Sequence, residues 1–282
     1  MRLIHTIALL GGDARQHYLA ELLSSHDFEP VPFGVPGLPD RFSSALETVS
    51  QADAVCLPIP AVTSGAITGL PSLTPAQLLS AMPDHAVLFG GGLGACKSLL
   101  RQTGTPSYDF LQNSALTASN AAVTAEGAVC LAMQALPITL HGAQTLVTGF
   151  GRIGKSLAMK LRALGADVTL TTRNPAQFSA IEALGCAVDE TGRYRLGLAQ
   201  YDCIFNTVPA PIFSGEQLAA LHPGCVFLEL ASSPGGIACD APKPALYIPA
   251  PGLPGKTAPK TAARLIFRAM CDAPYLSPQE VL

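Results

Sequence analysis

The stretch Gly149-Phe150-Gly151-Arg152-Ile153-Gly154 directly follows the apolar run 145–148 and decides the fold of the second half of the chain. A helical pattern over 155–164 ends at Gly165, and 167–171 is typical of the next strand. Gly149 permits a tight turn, Gly151 lets the backbone approach a pyrophosphate, and Gly154 allows close helix–strand contact. The helix N-terminus offers free N–H groups to phosphates. The order strand, glycine turn, helix and strand therefore predicts a Rossmann dinucleotide-binding domain.

The end of the following strand, Thr171-Thr172-Arg173-Asn174, indicates which dinucleotide binds. NAD sites place a carboxylate about twenty residues beyond the glycine motif, where it accepts a hydrogen bond from the ribose 2′-OH. This sequence has no carboxylate there, and Arg173 can pair with a 2′-phosphate instead. We therefore expect NADP, with NAD as the alternative cofactor. A solvated loop charge is the other interpretation of Arg173.

A later apolar strand, 203–205, ends in Asn206-Thr207-Val208-Pro209. Polar side chains at this strand end are expected to meet the nicotinamide-side ribose and amide, because ligands bind at the carboxyl ends of parallel strands. The predicted cofactor-binding residues are Gly149, Gly151, Arg152, Ile153, Gly154, Thr172, Arg173, Asn174, Asn206, Thr207 and Pro209.

The first part of the chain also alternates strand-like and helix-like segments, such as the runs 3–10 and 86–89 and the helical spacing of 76–82. Such alternation favours right-handed crossovers and a parallel sheet. The predicted fold class is α/β, with two doubly wound parallel-sheet domains, the second a Rossmann domain. The first domain is predicted to comprise 1–118 joined by the C-terminal helix segment 259–282, in which the helical pattern itself covers 259–271. The second comprises 119–258, including a linking helix over 119–136 that Ser119 or Asn120 caps.

Composition bounds the class of protein. A length of 282 residues suits two α/β domains, and a net charge of -3 without basic clusters argues against nucleic-acid binding. The eight scattered cysteines contain no C-x-x-C pair and are expected to be buried, reduced thiols. Glu126, Gln134 and Pro137 interrupt the apolar stretch 121–140, so no membrane segment is predicted. We expect a soluble cytoplasmic protein without a metal site.

Several loops match one known family, in order, over almost the whole chain. They are Gly11-Gly12-Asp13-Ala14-Arg15-Gln16, Thr124-Ala125-Glu126-Gly127, the glycine motif at 149–154, Asn206-Thr207-Val208-Pro209, Ala231-Ser232-Ser233-Pro234-Gly235-Gly236, and the run 250–262, Ala-Pro-Gly-Leu-Pro-Gly-Lys-Thr-Ala-Pro-Lys-Thr-Ala. In these loops the chain resembles the A subunits of dipicolinate synthase. Two features depart from the family: Val123 stands where the family usually has proline, and the loop 35–42 is unusually rich in proline.

The resemblance implies a dehydrogenase subunit that acts during sporulation. Members of the family are expected to oxidise dihydrodipicolinate, or its hydrated precursor from the lysine pathway, to dipicolinate with NAD(P). A flavoprotein-like B subunit is the implied partner, and the substrate is a small cyclic dicarboxylate. The apolar surface of 119–136 leaves a homo-oligomer open as well.

Such a substrate needs groups that hold two carboxylates and a group that accepts a proton. We expect Arg15 and Lys256 to bind the carboxylates, with Lys260 beside them. Hydroxyls or backbone N–H groups of Ser232, Ser233, Gly235 and Gly236 are expected to donate further hydrogen bonds. The predicted catalytic residues are Glu126, Lys260 and Asp13.

Burial in an apolar helix would raise the pKa of Glu126 toward a useful value for proton transfer. Each of these residues also has a structural interpretation. Arg15 and Asp13 can form an ion pair, the lysines can be surface charges, and Glu126 can serve as a helix cap or hydrogen-bonding group between domains.

Two other functions fit parts of the pattern. One is a different NADP-dependent two-domain dehydrogenase, but no Glu–His pair typical of 2-hydroxyacid enzymes is evident. A shikimate-type enzyme needs a Lys–Asp pair in the first domain, whose only lysine is Lys97. The other is a non-catalytic nucleotide-binding regulatory subunit, which the sparse set of acid–base groups keeps open.

Overall fold

The computed structural model describes residues 4–276. Leu3 of the first predicted strand and residues 277–282 of the predicted C-terminal helix segment lie outside the described residues. The chain divides into two compact units, the first formed by Met1–Asn120 with Gly255–Leu282 and the second by Ala121–Pro254.

Helices and strands alternate along most of the chain. In chain order they are β1 (Thr6–Leu10), α1 (Ala14–Ser24), β2 (Glu29–Phe33), α2 (Ala45–Ser50), β3 (Ala54–Cys56), β4 (Val62–Thr63), β5 (Ala66–Ile67), α3 (Pro75–Ala81), β6 (Val87–Gly90), α4 (Lys97–Thr103), β7 (Ser107–Asp109), α5 (Ser114–Ala135), β8 (Gln144–Thr148), α6 (Arg152–Ala163), β9 (Asp167–Thr172), α7 (Phe178–Glu182), β10 (Ala187–Glu190), β11 (Cys203–Asn206), α8 (Gly215–Ala219), β12 (Val226–Glu229), β13 (Leu246–Pro249), α9 (Leu253–Thr257) and α10 (Pro259–Cys271). Short 3-10 helices cover Leu93–Cys96, Phe110–Gln112 and Pro175–Gln177.

The first unit is built on a five-stranded parallel sheet in the order β2-β1-β3-β6-β7. This is the doubly wound order whose switch point lies between β1 and β3. The loop Gly11-Gly12-Asp13 leaves β1 at that point. Phe267 and Met270 of α10 are buried in the same core as Leu9 of β1. Helix α10 therefore completes the core of the first unit.

The second unit contains a six-stranded parallel sheet in the order β10-β9-β8-β11-β12-β13. This is the Rossmann order, with its switch point between β8 and β11. The predicted fold class is therefore confirmed. Five of the eight cysteines are buried, among them Cys203 of β11 and Cys56 of β3, as expected for cysteines that act as small hydrophobes. The expectation of burial is wrong for Cys130 and Cys239, which are exposed, and for the half-buried Cys271.

The long helix α5 begins earlier than predicted. It starts at Ser114 rather than at residue 119, because the side-chain oxygen of Asn113 accepts the N–H of Leu116 at 2.9 Å and caps the helix there. The assignment of Ser119 or Asn120 as the cap was wrong. By length and hydropathy α5 could cross a membrane, the one described helix for which this holds. Its Ala125 and Ala132 are nevertheless fully buried in the core of the second unit.

Five strands were not predicted from the sequence, namely β4, β5, β7, β10 and β13. Each lies at the edge of a sheet, where one side of the strand has no neighbour and the apolar pattern is weak. The C-terminal helix has the predicted bounds. It spans Pro259–Cys271, and Asp272–Leu276 form turns and bends.

Candidate functional site

The glycine turn after β8 has the geometry that its sequence predicts. Gly149 adopts a φ of 87°, in the left-handed region that favours glycine. A Cβ atom on Gly154 would lie 2.0 Å from the carbonyl oxygen of Gly149, a distance that no side chain can tolerate. These two glycines therefore make the tight turn and the close helix–strand contact.

Unlike Gly149 and Gly154, Gly151 is not required to be glycine by the backbone conformation or by the packing of the unit. It precedes α6 in extended backbone, and an added Cβ would meet nothing within 4 Å. Within the described chain, no side chain caps the N-terminus of α6, so its first N–H groups face outward. A glycine in open space beside an uncapped helix N-terminus is the arrangement that binds a phosphate-containing ligand.

A cavity of about 370 Å³ opens beside this turn. Its lining residues are Gly149, Phe150, Gly151, Thr172, Arg173, Asn174, Gln177, Thr191 and Val208. Among these described residues Arg173 carries the only charge, and its side chain is exposed. The cavity can therefore hold a polyanionic dinucleotide without repelling it.

The side chains of Thr172 and Asn174, which were predicted to bind the cofactor beside Arg173, form hydrogen bonds within the loop. The Thr172 hydroxyl donates to the Gln177 side chain at 2.6 Å, and the Asn174 side chain accepts the N–H of Ala176 at 3.1 Å. Gln177, Thr191 and Val208 line the cavity but were missed. Thr191 follows the edge strand β10, whose weak pattern concealed it.

Arg152 and Ile153, the two residues of the glycine motif other than glycine that were predicted to bind the cofactor, differ in exposure. Arg152 is exposed on the first turn of α6, whereas Ile153 is half-buried and packs on the core of the unit. Because the Ile153 side chain packs on the core, its predicted contact with the cofactor would be made by its backbone N–H group.

Asn206 and Thr207 direct their side chains to neighbouring strands. Asn206 is fully buried, its amide oxygen accepts from the Thr148 hydroxyl at 2.5 Å, and its amide nitrogen donates to Glu229 at 2.6 Å. The Thr207 hydroxyl donates to the carbonyl of Thr148 at 2.6 Å. Both groups cross-link the ends of adjacent strands, so the buried Asn206 side chain is not accessible to a ligand. A nicotinamide contact by the half-buried Thr207 stays a prediction. Pro209 is exposed beyond them.

Glu229 lies at the centre of this network and was missed by the sequence analysis. Its side chain is buried, and its two oxygens accept the N–H groups of Ala231 at 3.2 Å and Gly236 at 2.9 Å. The N–H of Gly235 donates to the carbonyl of Ser232 at 2.9 Å. The prediction that Gly235 and Gly236 donate their N–H groups to a substrate is therefore wrong. The one sequence signal for Glu229 is its position at the carboxyl end of the apolar strand β12.

The two serines of that loop, Ser232 and Ser233, are exposed. Their hydroxyls lie on the outside of the loop, whereas its backbone N–H groups point inward to Glu229. Of the four predicted substrate-binding residues here, these two are the ones that the fold leaves accessible to a ligand.

Replacing Glu229 with glutamine is expected to lower the free energy of unfolding by about 1–3 kcal/mol. The substitution turns one accepting oxygen into an amide that faces an N–H donor or the Asn206 amide. Urea denaturation followed by circular dichroism measures the change. Glu182→Gln, an exposed carboxylate of the same unit, is the matched control and should change stability by less than about 0.5 kcal/mol. Equal stabilities of the two variants would show that the network does not stabilise the unit.

In the first unit, Arg15 is committed to Asp13. The Arg15 side chain is only 7% exposed, and its Nε and Nη2 each donate to an Asp13 carboxylate oxygen at 2.8 Å. Nη2 also donates to the carbonyl of Ile59 at 2.6 Å. The structure thus forms the ion pair that was the alternative interpretation of Arg15, and substrate binding by Arg15 stays a prediction.

Asp13 is correspondingly unsuited to accept a proton. Burial raises the pKa of Asp13, but the hydrogen bonds and charge of Arg15, with a smaller contribution from Lys256, outweigh it and hold the pKa below the usual 3.8. Asp13 also caps α1 by accepting the N–H of Arg15 at 3.0 Å. A Cβ on Gly255 would lie 2.3 Å from the Asp13 carboxylate. Glycine at 255 therefore lets the segment before α10 reach Asp13.

The two predicted lysines lie on this same segment. Lys256 acts electrostatically on Asp13, and Lys260 places its Nζ 5.9 Å from the centre of the Tyr18 ring. Both side chains are exposed. The first unit therefore places Lys256 near the ion pair of the buried Arg15 with the partly exposed Asp13, and Lys260 beside Tyr18 of α1.

Glu126 is not buried as predicted. Its side chain is 67% exposed and forms an ion pair with Lys160 of α6 at 3.0 Å. The reason is its position on α5: residues 125 and 128 face the core, and Glu126 lies on the opposite side of the helix. The burial that would have made it a proton acceptor is absent.

The fold and the glycine-turn cavity define a two-unit α/β protein with an NAD-binding domain of the dehydrogenase type, which takes a nicotinamide dinucleotide. Sequence comparison agrees. The family described as "D-isomer specific 2-hydroxyacid dehydrogenase, NAD binding domain" matches residues 115–234, and the family of the N-terminal domain of the dipicolinate synthase A chain matches residues 6–110.

Relatives specify the family. The chain is 31% identical over 278 residues to the A chain of dipicolinate synthase from Bacillus subtilis (strain 168), a match that covers 94% of each chain. Crystal structures of the dipicolinate synthase A chains from Bacillus halodurans and Bacillus subtilis superpose with TM-scores of 0.83 and 0.77, each at 28% identity. They cover 96% of this chain and 98% and 96% of theirs. This protein belongs to the family of dipicolinate synthase A chains.

Proposed function

We propose that this protein is the dehydrogenase subunit of dipicolinate synthase and acts in sporulation. In this proposal dihydrodipicolinate, supplied by the lysine pathway directly or as its hydrated precursor, loses a hydride to NADP and a proton to solvent, and dipicolinate is formed. A flavoprotein-like B subunit is the proposed partner. The observation that carries the proposal is a dinucleotide cavity with Arg173 as its charged lining residue, in a chain of this family.

The residues around the cavity fit NADP by their chemistry. Gly151 leaves open space beside the uncapped N-terminus of α6, where the pyrophosphate would receive N–H groups. Arg173, exposed at the end of β9, would pair with the 2′-phosphate. When bound, the nicotinamide accepts the hydride. The Thr148–Asn206–Glu229 network holds the strand ends below the site in place without touching the ligand.

Substrate binding is proposed for the accessible cations of the first unit. Lys256 and Lys260 are exposed on the segment that approaches Asp13, and each can donate to one carboxylate. The Asp13–Arg15 ion pair, in which only Arg15 is buried, would hold this segment in position. Aromatisation supplies much of the driving force for the reaction, so orientation of the substrate is the main task of these residues.

Replacing Arg173 with alanine is expected to raise the Kd for NADP by roughly 10- to 100-fold and to leave the Kd for NAD unchanged, because one charge-assisted contact with the 2′-phosphate is lost. Calorimetric titrations with each dinucleotide measure this. Lys243→Ala is the matched control, since Lys243 is exposed and contacts Tyr247 of β13, at the far end of the sheet from β9. An equal loss of NAD affinity would contradict the assignment of Arg173 to the 2′-phosphate.

Catalysis is tested by NADP reduction with dihydrodipicolinate generated in the assay, for the chain alone and together with the B subunit. Substrate-dependent reduction by the chain alone supports the proposal. Reduction only in the presence of the B subunit supports a catalytic chain that requires its partner. Tight NADP binding without reduction in either assay would favour the regulatory subunit instead.

A further inference from the structure

The first unit contains a second cavity, which the proposed function does not use. Its volume is about 440 Å³, within the range of small-molecule sites. It is lined by Leu93, Gly94, Lys97, Leu100, Arg101, Thr105, Ser107, Tyr108, Asp109 and Gln112. These residues belong to α4, β7, the loop between them and the short 3-10 helices before α4 and after β7, at one edge of the parallel sheet.

This cavity is separate from the Asp13 loop. That loop follows β1, and β3 and β6 lie between β1 and β7 in the sheet. Three strand spacings correspond to about 14 Å. One small ligand at β7 therefore leaves Asp13, Lys256 and Lys260 free.

Two cations give the cavity its charge. Lys97 and Arg101 are one helical turn apart on α4, so both side chains reach the same side of the helix. Both are exposed, and within residues 4–276 neither forms an ion pair with an acidic side chain. Two adjacent unpaired cations at a cavity attract a ligand with two acidic groups.

The one carboxylate in the lining is already satisfied. Asp109 accepts the N–H groups of Gly92, Leu93 and Leu111, each at 2.9 Å. Its role is to fix the turn before α4, and three N–H donors offset its charge. The cavity keeps a net positive lining.

The remaining lining suits the carbon body of an organic ligand. Leu93 and Leu100 provide an apolar wall, whereas the Tyr108 ring packs against Phe89 and Phe110. Arginine forms paired, coplanar hydrogen bonds with a carboxylate, and a spherical anion cannot accept both of them equally well. We propose that this cavity is a second ligand site of the protein and binds a small organic dicarboxylate through Lys97 and Arg101.

The test is a calorimetric titration with benzene-1,3-dicarboxylate on the Lys256→Gln/Lys260→Gln background, which removes the proposed substrate site from the measurement. We expect saturable binding. Lys97→Gln and Arg101→Gln should each raise the Kd by about tenfold or more, because each removes a charge-assisted contact. Arg41→Gln is the matched control, an exposed cation that pairs with Glu29 of β2 at the opposite edge of the sheet.

Amide NMR spectra locate the site independently, with shifts expected at Gly94 and Ser107. Absence of saturable binding, or a Kd that Lys97→Gln and Arg101→Gln leave unchanged, would overturn the proposal. So would inorganic phosphate that binds as tightly as the dicarboxylate. None of these outcomes depends on NADP binding or on dipicolinate formation.

Discussion

Replacing Gly154 with alanine is expected to destabilise the second unit by about 3 kcal/mol and to abolish dinucleotide binding. The added Cβ would lie 2.0 Å from the carbonyl oxygen of Gly149. That oxygen belongs to the backbone, so no side chain can rotate away and the turn and α6 must separate. Urea denaturation measures the stability, and a calorimetric titration with NADP measures the binding.

Gly151→Ala is the matched control for this prediction. Its Cβ would meet nothing within 4 Å and its φ of -82° suits alanine, so stability should change by less than about 0.5 kcal/mol. Dinucleotide affinity should still fall, because the methyl group occupies the space that the pyrophosphate approaches. Wild-type stability of Gly154→Ala would contradict the close contact. Wild-type affinity of Gly151→Ala would contradict the placement of the dinucleotide.

Replacing Asp13 with alanine is expected to lower the free energy of unfolding by about 3 kcal/mol. The Arg15 guanidinium would stay buried with the Ile59 carbonyl as its one remaining partner among the described residues, and α1 would lose its N-cap. Asp13→Asn keeps an accepting oxygen for the cap but loses the charge, so its loss should be smaller. Denaturant unfolding of both variants measures the difference.

An exposed carboxylate of the same unit, Asp84, provides the control. Asp84→Ala should change stability by less than about 0.5 kcal/mol. If Asp13→Ala unfolds at the wild-type denaturant concentration, the ion pair does not stabilise the loop, and the structural role assigned to Arg15 is wrong.

The same pair predicts a dependence of stability on pH. The folded-state pKa of Asp13 lies below its ordinary value of 3.8. Its contribution to stability is therefore complete above that value and is lost as the pH falls through the lower folded-state pKa. The stability difference between wild type and Asp13→Asn should be constant above about pH 5 and shrink below about pH 4. Unfolding curves measured across this range test the sign.

The local sequence was sufficient to predict those parts of the structure that depend on steric contacts between residues close together in the chain. The turn at Gly149 and Gly154 depends on residues five positions apart, and its geometry followed from the motif. Helix α10 begins at Pro259 as predicted, because proline favours the first turn of a helix. Arg173 could likewise be picked out, since the end of β9 is set by its own apolar run.

The errors at Asn206, Gly236 and Glu126 share one physical cause. Whether a polar group faces a ligand or another part of the chain depends on neighbours that are distant in sequence. In the sheet, Asn206 pairs in register with both Thr148 and Glu229, so three polar side chains meet across adjacent strands and satisfy one another. The burial predicted for Glu126 was wrong because even a largely apolar helix can keep one face exposed to solvent.

The α/β class, the Rossmann half with its dinucleotide turn and the family could be predicted from the sequence, because these depend on local sterics and on ordered motifs. Which polar residues are available to a ligand depends on how the chain packs. This packing pairs Arg15 with Asp13, uses Glu229 to bind the loop of Gly235 and Gly236, and leaves Lys256 and Lys260 exposed. Burial requires every polar group to find a partner, and that partner is known only once the strands and helices have packed.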